Sequence, residues 1–171
     1  MKIKRLASIC IAFFTLSWVG LVAQQRTQNP DFEKLLEKLL NHNVPEMDIS
    51  RALNLKDSTV FLDAREWDEY RVSHLPQSIW VGYEDFIIER LVEVDKTQPI
   101  VVYCSVGYRS ERIAQRLLEQ GFSNVANLYG GIFEWVNRGG PVFNEKGNTK
   151  AIHTYNKDWS RWVTDRAQKN Y

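Results

Sequence analysis

The run PIVVYCSVGYRS, Pro99 to Ser110, ends an apolar strand in a cysteine and then turns through a glycine-bearing loop toward a helix. That order of elements activates a thiol. The backbone N–H groups of Ser105 to Arg109 are expected to converge on the Cys104 sulfur, with a helix N-terminus beginning near Ser110. Unpaired donors, the positive end of a helix dipole and the cation of Arg109 all favour the thiolate. The matter is chemical, because a free thiol near pKa 8.5 is only about 3% ionised at pH 7.

Cysteine is also a common core residue, and Ile100, Val101, Val102 and Tyr103 form a strand able to bury one. The neighbours argue for reactivity instead. Gly107 permits close backbone approach, Arg109 brings a fixed positive charge, and Ser110 is suited to capping the following helix. Val106 and Tyr108 complete the loop, and Tyr108, projecting from it, is a candidate for substrate selection.

The elements that must hold this loop alternate between strand and helix. Thr59 to Ala64 reads as a buried strand, Glu66 to Val72 as a short helix, and Ser78 to Val81 as another strand. Glu84 to Val94 carries apolar residues at helical spacing. Pro99 to Tyr103 is the central strand, Ser110 to Gln120 a helix closed by Gly121, and Val125 to Leu128 the next strand. Such alternation, with continuously apolar strands, predicts an α/β fold: a mostly parallel central sheet with helices on both faces. Its site belongs at the carboxyl ends of the strands, where Cys104 falls.

Upstream, Phe32, Leu35, Leu36, Leu39 and Leu40 make an amphipathic helix entered through Asn29 and Pro30, preceded by a polar linker at 24–30. Gly130, Gly131 and Trp135 read as a tight strand-to-helix turn with a core aromatic. The glycine pair is too short for a nucleotide-binding loop. Beyond Gly139 the sequence reads as turns, and from Ala151 to Tyr171 as a strand or loop followed by a helix packed on the domain.

Residues 1–23 differ in kind. Lys2, Lys4 and Arg5 precede an uncharged apolar run from Leu6 to Ala23, the pattern of a secretory signal cleaved after Ala23, or else of an uncleaved N-terminal anchor. Either way the domain is expected outside the cytoplasmic membrane, in the periplasm or tethered to the membrane. Removing the segment takes three of the 22 basic side chains and none of the 21 acidic ones. That leaves 19 against 21, a net charge of −2, with no basic patch for nucleic acid. It also removes Cys10, so Cys104 has no partner for an internal disulfide or a dithiol pair. The three scattered histidines form no metal site.

Four ordered pieces carry a family likeness: LDAREWDEY (62–70), SHLPQSIW (73–80), CSVGYRS (104–110) and GFSNVANLYGGIFEW (121–135). Together they resemble the rhodanese-like single-domain sulfurtransferases, over a domain from 49 to 141. Residues 24–48 then form a linker and N-terminal helix, and 142–171 a C-terminal extension. Gln77 stands where the family usually has a glycine. The resemblance implies that Cys104 takes sulfane sulfur as a persulfide, from thiosulfate, a persulfide or a polysulfide, and passes it to a thiol or cyanide. It assigns Ser105, Val106, Gly107, Tyr108, Arg109 and Ser110 to the substrate cradle, with Arg109 holding an anionic donor, and it requires no cofactor. Asp63 and Arg65 read as an ion-paired scaffold rather than as acid–base groups, and His74 as a turn histidine rather than a general base. Two alternatives remain. Rhodanese-like domains also serve as binding or sulfur-carrier modules. Cysteine phosphatases and arsenate reductases of related fold use Cys-x5-Arg, one residue longer than the Cys104–Arg109 spacing here.

Overall fold

The computed structural model describes residues 25–55 and 58–170, so the signal or anchor reading of residues 1–23 lies outside the described residues. Five parallel strands make the central sheet: β1 (Glu46–Met47), β2 (Val60–Asp63), β3 (Ile79–Trp80), β4 (Ile100–Tyr103) and β5 (Val125–Leu128), in spatial order β1-β5-β4-β2-β3. The central strand β4 is buried along its whole length, which is why its sequence runs apolar without alternation.

Alternate side chains of β2 and β4 enter two separate cores. Phe61, Val101 and Tyr103 face one; Leu62, Ile100 and Val102 face the other. The first core is covered by α1 (Pro30–Leu39), α2 (Ile49–Leu55) and α5 (Gly131–Asn137), through Phe32, Leu36, Ile49, Ala52, Ile132 and Phe133. The second is covered by α4 (Tyr108–Glu119), through Ile113, Ala114 and Leu117. A short helix α3 (Trp67–Val72) follows β2.

Four expectations are corrected. Residues 84–94 do not form a helix: a single 3₁₀ turn, Ile88–Leu91, stands there. The Ile87 amide is drawn to the carbonyl of Val81 (3.1 Å), and the β-branched Ile87, Ile88, Val92 and Val94 favour packing over a regular helix. The stretch 24–48 also holds more than a linker and a helix, since it contains the edge strand β1. Within its described part, Thr27 is buried and the Gln28 amide donates to Glu134 (2.8 Å).

The C-terminal region is more regular than expected at its start and less helical at its end. The residues read as turns form a hairpin of β6 (Val142–Asn144) and β7 (Gly147–Thr149). The expected terminal helix is replaced by β8 (Ala151–His153), a 3₁₀ turn at Trp159–Trp162 and β9 (Gln168–Asn170), with β8 and β9 paired in parallel. This segment packs on the first core: Ile152 and Val163 are buried in it, and the Trp162 ring stacks on Phe32 with centroids 5.3 Å apart. Among the described residues no helix is long and apolar enough to cross a membrane.

Candidate active site

Cys104 follows β4 directly, and the loop to α4 is pinned from beneath. The first amides of α5 donate to it, Ile132 to the Cys104 carbonyl (2.9 Å) and Phe133 to that of Ser105 (3.1 Å). Gly130 and Gly131 make this possible. Both adopt left-handed backbone, and a Cβ on Gly131 would press against the Cys104 carbonyl oxygen and lie 2.6 Å from that of Ser105.

The loop leaves β4 and enters α4 through Gly107, whose φ of +117° is a glycine conformation. The helix therefore begins at Tyr108, two residues earlier than expected, and Ser110 is not its cap. Ser110 is buried in the first turn, where its hydroxyl donates to Asn127 Oδ1 (2.7 Å); Asn127 Nδ2 in turn donates to the Gly107 carbonyl (3.1 Å).

The sulfur receives fewer donors than the sequence suggests. Of the loop amides Gly107 donates to Sγ, at 3.2 Å. Burial pushes the Cys104 thiol up. The nearby Arg109 charge, the Ser110 hydroxyl and amide, and the Gly107 amide together outweigh it, so the thiol lies below its ordinary value. Ser110 has one hydroxyl proton and two claimants, Asn127 and the sulfur, which leaves Arg109 the steadier support.

Arg109 is not left open to solvent. Its Nη1 and Nη2 donate to Glu69 Oε2 (2.6 Å) and Oε1 (2.9 Å), and Nη2 also reaches Ser105 Oγ (3.0 Å), which itself donates to Glu69 (3.0 Å). Glu66 stands 4.0 Å away. The guanidinium thus supports the thiolate from within a carboxylate clasp rather than standing free for an anionic donor.

Asp63 and Arg65 lie one layer below, both fully buried, and pair through Arg65 Nη2 and Asp63 Oδ2 (2.7 Å). Arg65 also donates to the Ser73 carbonyl (2.6 Å), tying β2 to the chain after α3. His74 has its Nδ1 against the Tyr70 carbonyl (3.1 Å) and its ring stacked on Tyr70, away from the sulfur's lining. Gln77 takes a φ of +55°, so the turn keeps the left-handed backbone that a glycine there would supply.

Above the sulfur opens a cleft of about 510 Å³. Ser105, Val106, Tyr108 and Arg109 line it from the loop. Glu66 and Glu84 line it from the sheet connections, Leu39 from α1, and Tyr155 and Trp159 from the segment between β8 and β9. Sequence reasoning missed Glu69, Asn127, Tyr155 and Trp159. Two of these left a signal: Glu66 and Glu69 stand at capping-box spacing, and Asn127 is the polar residue of an otherwise apolar strand.

The chain is similar to known proteins. The rhodanese-like domain family matches residues 48–138. The thiosulfate sulfurtransferase GlpE of Coxiella burnetii is 35% identical over 80 residues, 47% of this chain and 74% of that protein. The tRNA uridine(34) hydroxylase of Cytophaga hutchinsonii is 33% identical over 101 residues, 56% of this chain and 32% of the hydroxylase, so the likeness spans about a third of that longer protein. Among solved structures, a thiosulfate sulfurtransferase from Pseudomonas aeruginosa superposes with a TM-score of 0.56 at 25% identity, covering 78% of this chain and 26% of that one.

Proposed function

The chain belongs to the rhodanese-like domain family, and on that premise we propose that it is a sulfurtransferase working through a persulfide on Cys104. The observation that carries the reading is a free, buried cysteine, its sulfur held by the Gly107 amide, that lines an accessible cleft. The Cys104 thiolate attacks the outer sulfur of thiosulfate, a persulfide or a polysulfide. The donor's S–S bond breaks and its inner sulfur leaves with the electron pair, as sulfite or as a thiolate.

The Cys104 persulfide anion then occupies the space served by the Gly107 amide, and the Arg109 charge stabilises it. An acceptor thiolate or cyanide attacks its terminal sulfur and restores the Cys104 thiolate. The cycle is redox-neutral and uses only groups of this chain and its two substrates. We further propose that residues 1–23 export the domain, as a cleaved signal or as an anchor; N-terminal sequencing of the protein from its producing cell separates the two.

The test is mass spectrometry of the peptide carrying Cys104 after incubation with thiosulfate, polysulfide or a low-molecular-weight persulfide. Gain of one sulfur atom on Cys104, abolished in Cys104→Ser, is the expected result. No gain with any of these donors overturns the reading in favour of a non-catalytic binding module.

A further inference from the structure

Three of the residues that line the cleft lie outside the family-matched residues 48–138. Leu39 comes from α1, and Tyr155 and Trp159 come from the link between β8 and β9. With Tyr83 and Tyr108 they give the cleft an apolar, aromatic wall. Its volume of about 510 Å³ is in the range of small-organic-ligand pockets, about 300–1,000 Å³, whereas thiosulfate has five heavy atoms.

Charge points the same way. Arg109 is the one cationic side chain among the described residues that line the cleft, and Glu69 already holds it through two nitrogens. Glu66 and Glu84 add two more carboxylates at the wall. A dianion entering there meets two carboxylates at the wall and a cation already committed to the buried Glu69, and repulsion in a partly desolvated cleft exceeds that in water.

Tyr155 supplies an independent observation. It adopts a φ of +64°, a left-handed conformation uncommon for a bulky residue, where asparagine or glycine would be relaxed. The turn is held by its own amide donating to His153 Nδ1 (3.1 Å) and by Asn156 donating to the Thr154 carbonyl (2.7 Å). The turn itself has no need of an aromatic ring. The residue is 57% exposed and lines the cleft, with its ring centroid 5.7 Å from the Arg109 guanidinium carbon.

We propose that Tyr155 and Trp159 are specificity-determining residues that select an organic sulfane donor, a persulfide or thiosulfonate with an apolar body, over inorganic thiosulfate. The proposal rests on the sulfurtransferase reading above. In the step concerned, the Cys104 thiolate attacks the terminal sulfur of R–SO2–S⁻ and the S–S bond breaks. The sulfinate R–SO2⁻ leaves with the electron pair, and Cys104 is left as a persulfide anion. The body R remains against the aromatic wall while this happens.

The experiment measures the second-order rate constant for persulfide formation on Cys104 of the full, reduced chain with three donors: thiosulfate, the methanethiosulfonate anion and the benzenethiosulfonate anion. The same rates with a free peptide thiol give the donors' intrinsic ratio. Beyond that ratio, the wild type is expected to favour the aryl donor over the methyl one, and over thiosulfate, by about tenfold or more. Tyr155→Asn, which suits the left-handed backbone, is expected to lower the aryl-to-methyl ratio at least about fivefold; Trp159→Leu should do so as well if it folds. An aryl preference no greater than that of the free thiol, or a ratio that Tyr155→Asn leaves unmoved, overturns the proposal while leaving the sulfurtransferase reading standing. Absence of persulfide with all three donors overturns both.

Discussion

Arg109 and Glu69 meet side by side, two guanidinium nitrogens on two carboxylate oxygens at 2.6 and 2.9 Å, with Ser105 Oγ bonded to both residues. The pair joins α3 to the start of α4 across the active loop. It fixes where the Arg109 charge stands, because the guanidinium cannot swing away without abandoning a carboxylate that is almost wholly buried. A charge held in place before substrate arrives needs no reorganisation when the thiolate forms.

Removing only one partner therefore costs more than the pair contributes. Arg109→Leu leaves Glu69 buried and uncompensated, and a loss of about 3 kcal/mol is expected in urea unfolding. The double variant Glu69→Leu, Arg109→Leu removes both charges together and should recover most of that loss. Recovery of less than a third of it would mean that Ser105 and the loop backbone, not the charge pair, hold this corner.

The same pair makes stability depend on acid. Burial pushes the Glu69 carboxyl up, but the Arg109 hydrogen bonds and charge, with Arg65 behind them, pull it below the ordinary glutamate value of 4.5. Its folded pKa is thus lower than its unfolded one. The stability it contributes is fully present above pH 4.5 and drains away as the pH falls through the folded value. Glu134, held above its ordinary value chiefly by burial, works in the opposite direction, but it is common to both proteins and cancels. The unfolding free energy of the wild type relative to that of the double variant should therefore fall steadily below pH 4.5. A difference constant from pH 7 to pH 3 would refute the linkage.

Thiol titration reads the other end of the network. Alkylation follows the thiolate fraction, and Cys104 lies below its ordinary value. Its rate, quantified on the peptide carrying Cys104, should reach half-maximum at lower pH in the folded protein than in urea. In the Glu69→Leu, Arg109→Leu protein the Arg109 charge is gone, so the midpoint should move up. An unmoved midpoint would assign the activation to the Gly107 and Ser110 donors alone.

Much of this arrangement is legible in the sequence because it is local. Ile100 to Tyr103 announces a strand buried on both faces, and Cys104, Gly107 and Arg109 follow within six residues. The helix starts at Tyr108, two residues before the serine, for a physical reason. A serine suggests a cap, but the Ser110 hydroxyl is engaged by Asn127, and Gly107 makes the turn instead. The role of Glu69 is hidden for another: at capping-box spacing it reads as a helix-start carboxylate, and only the fold brings it to Arg109, 40 residues on. The C-terminal wall was hardest, since β8 and β9 are three residues each and pair across a gap that carries no periodicity.

Gly131 offers the sharpest check on how the loop is held. Its φ is +57°, and the added methyl of Gly131→Ala would meet the carbonyl oxygens of Cys104 and Ser105, which are backbone and have no rotamer to change. Those same carbonyls accept the α5 amides of Ile132 and Phe133. Relief therefore requires lifting the active loop off α5, which breaks two buried hydrogen bonds, or shifting α5 itself. Adding the left-handed strain gives an expected loss of roughly 2–4 kcal/mol. Gly139→Ala is the control, because it shares the left-handed φ at +80° while its Cβ meets nothing within 4 Å. It should lose only about 1 kcal/mol. Equal losses at the two positions in urea unfolding would show that backbone strain alone is at work and that the α5 start does not brace the cysteine loop.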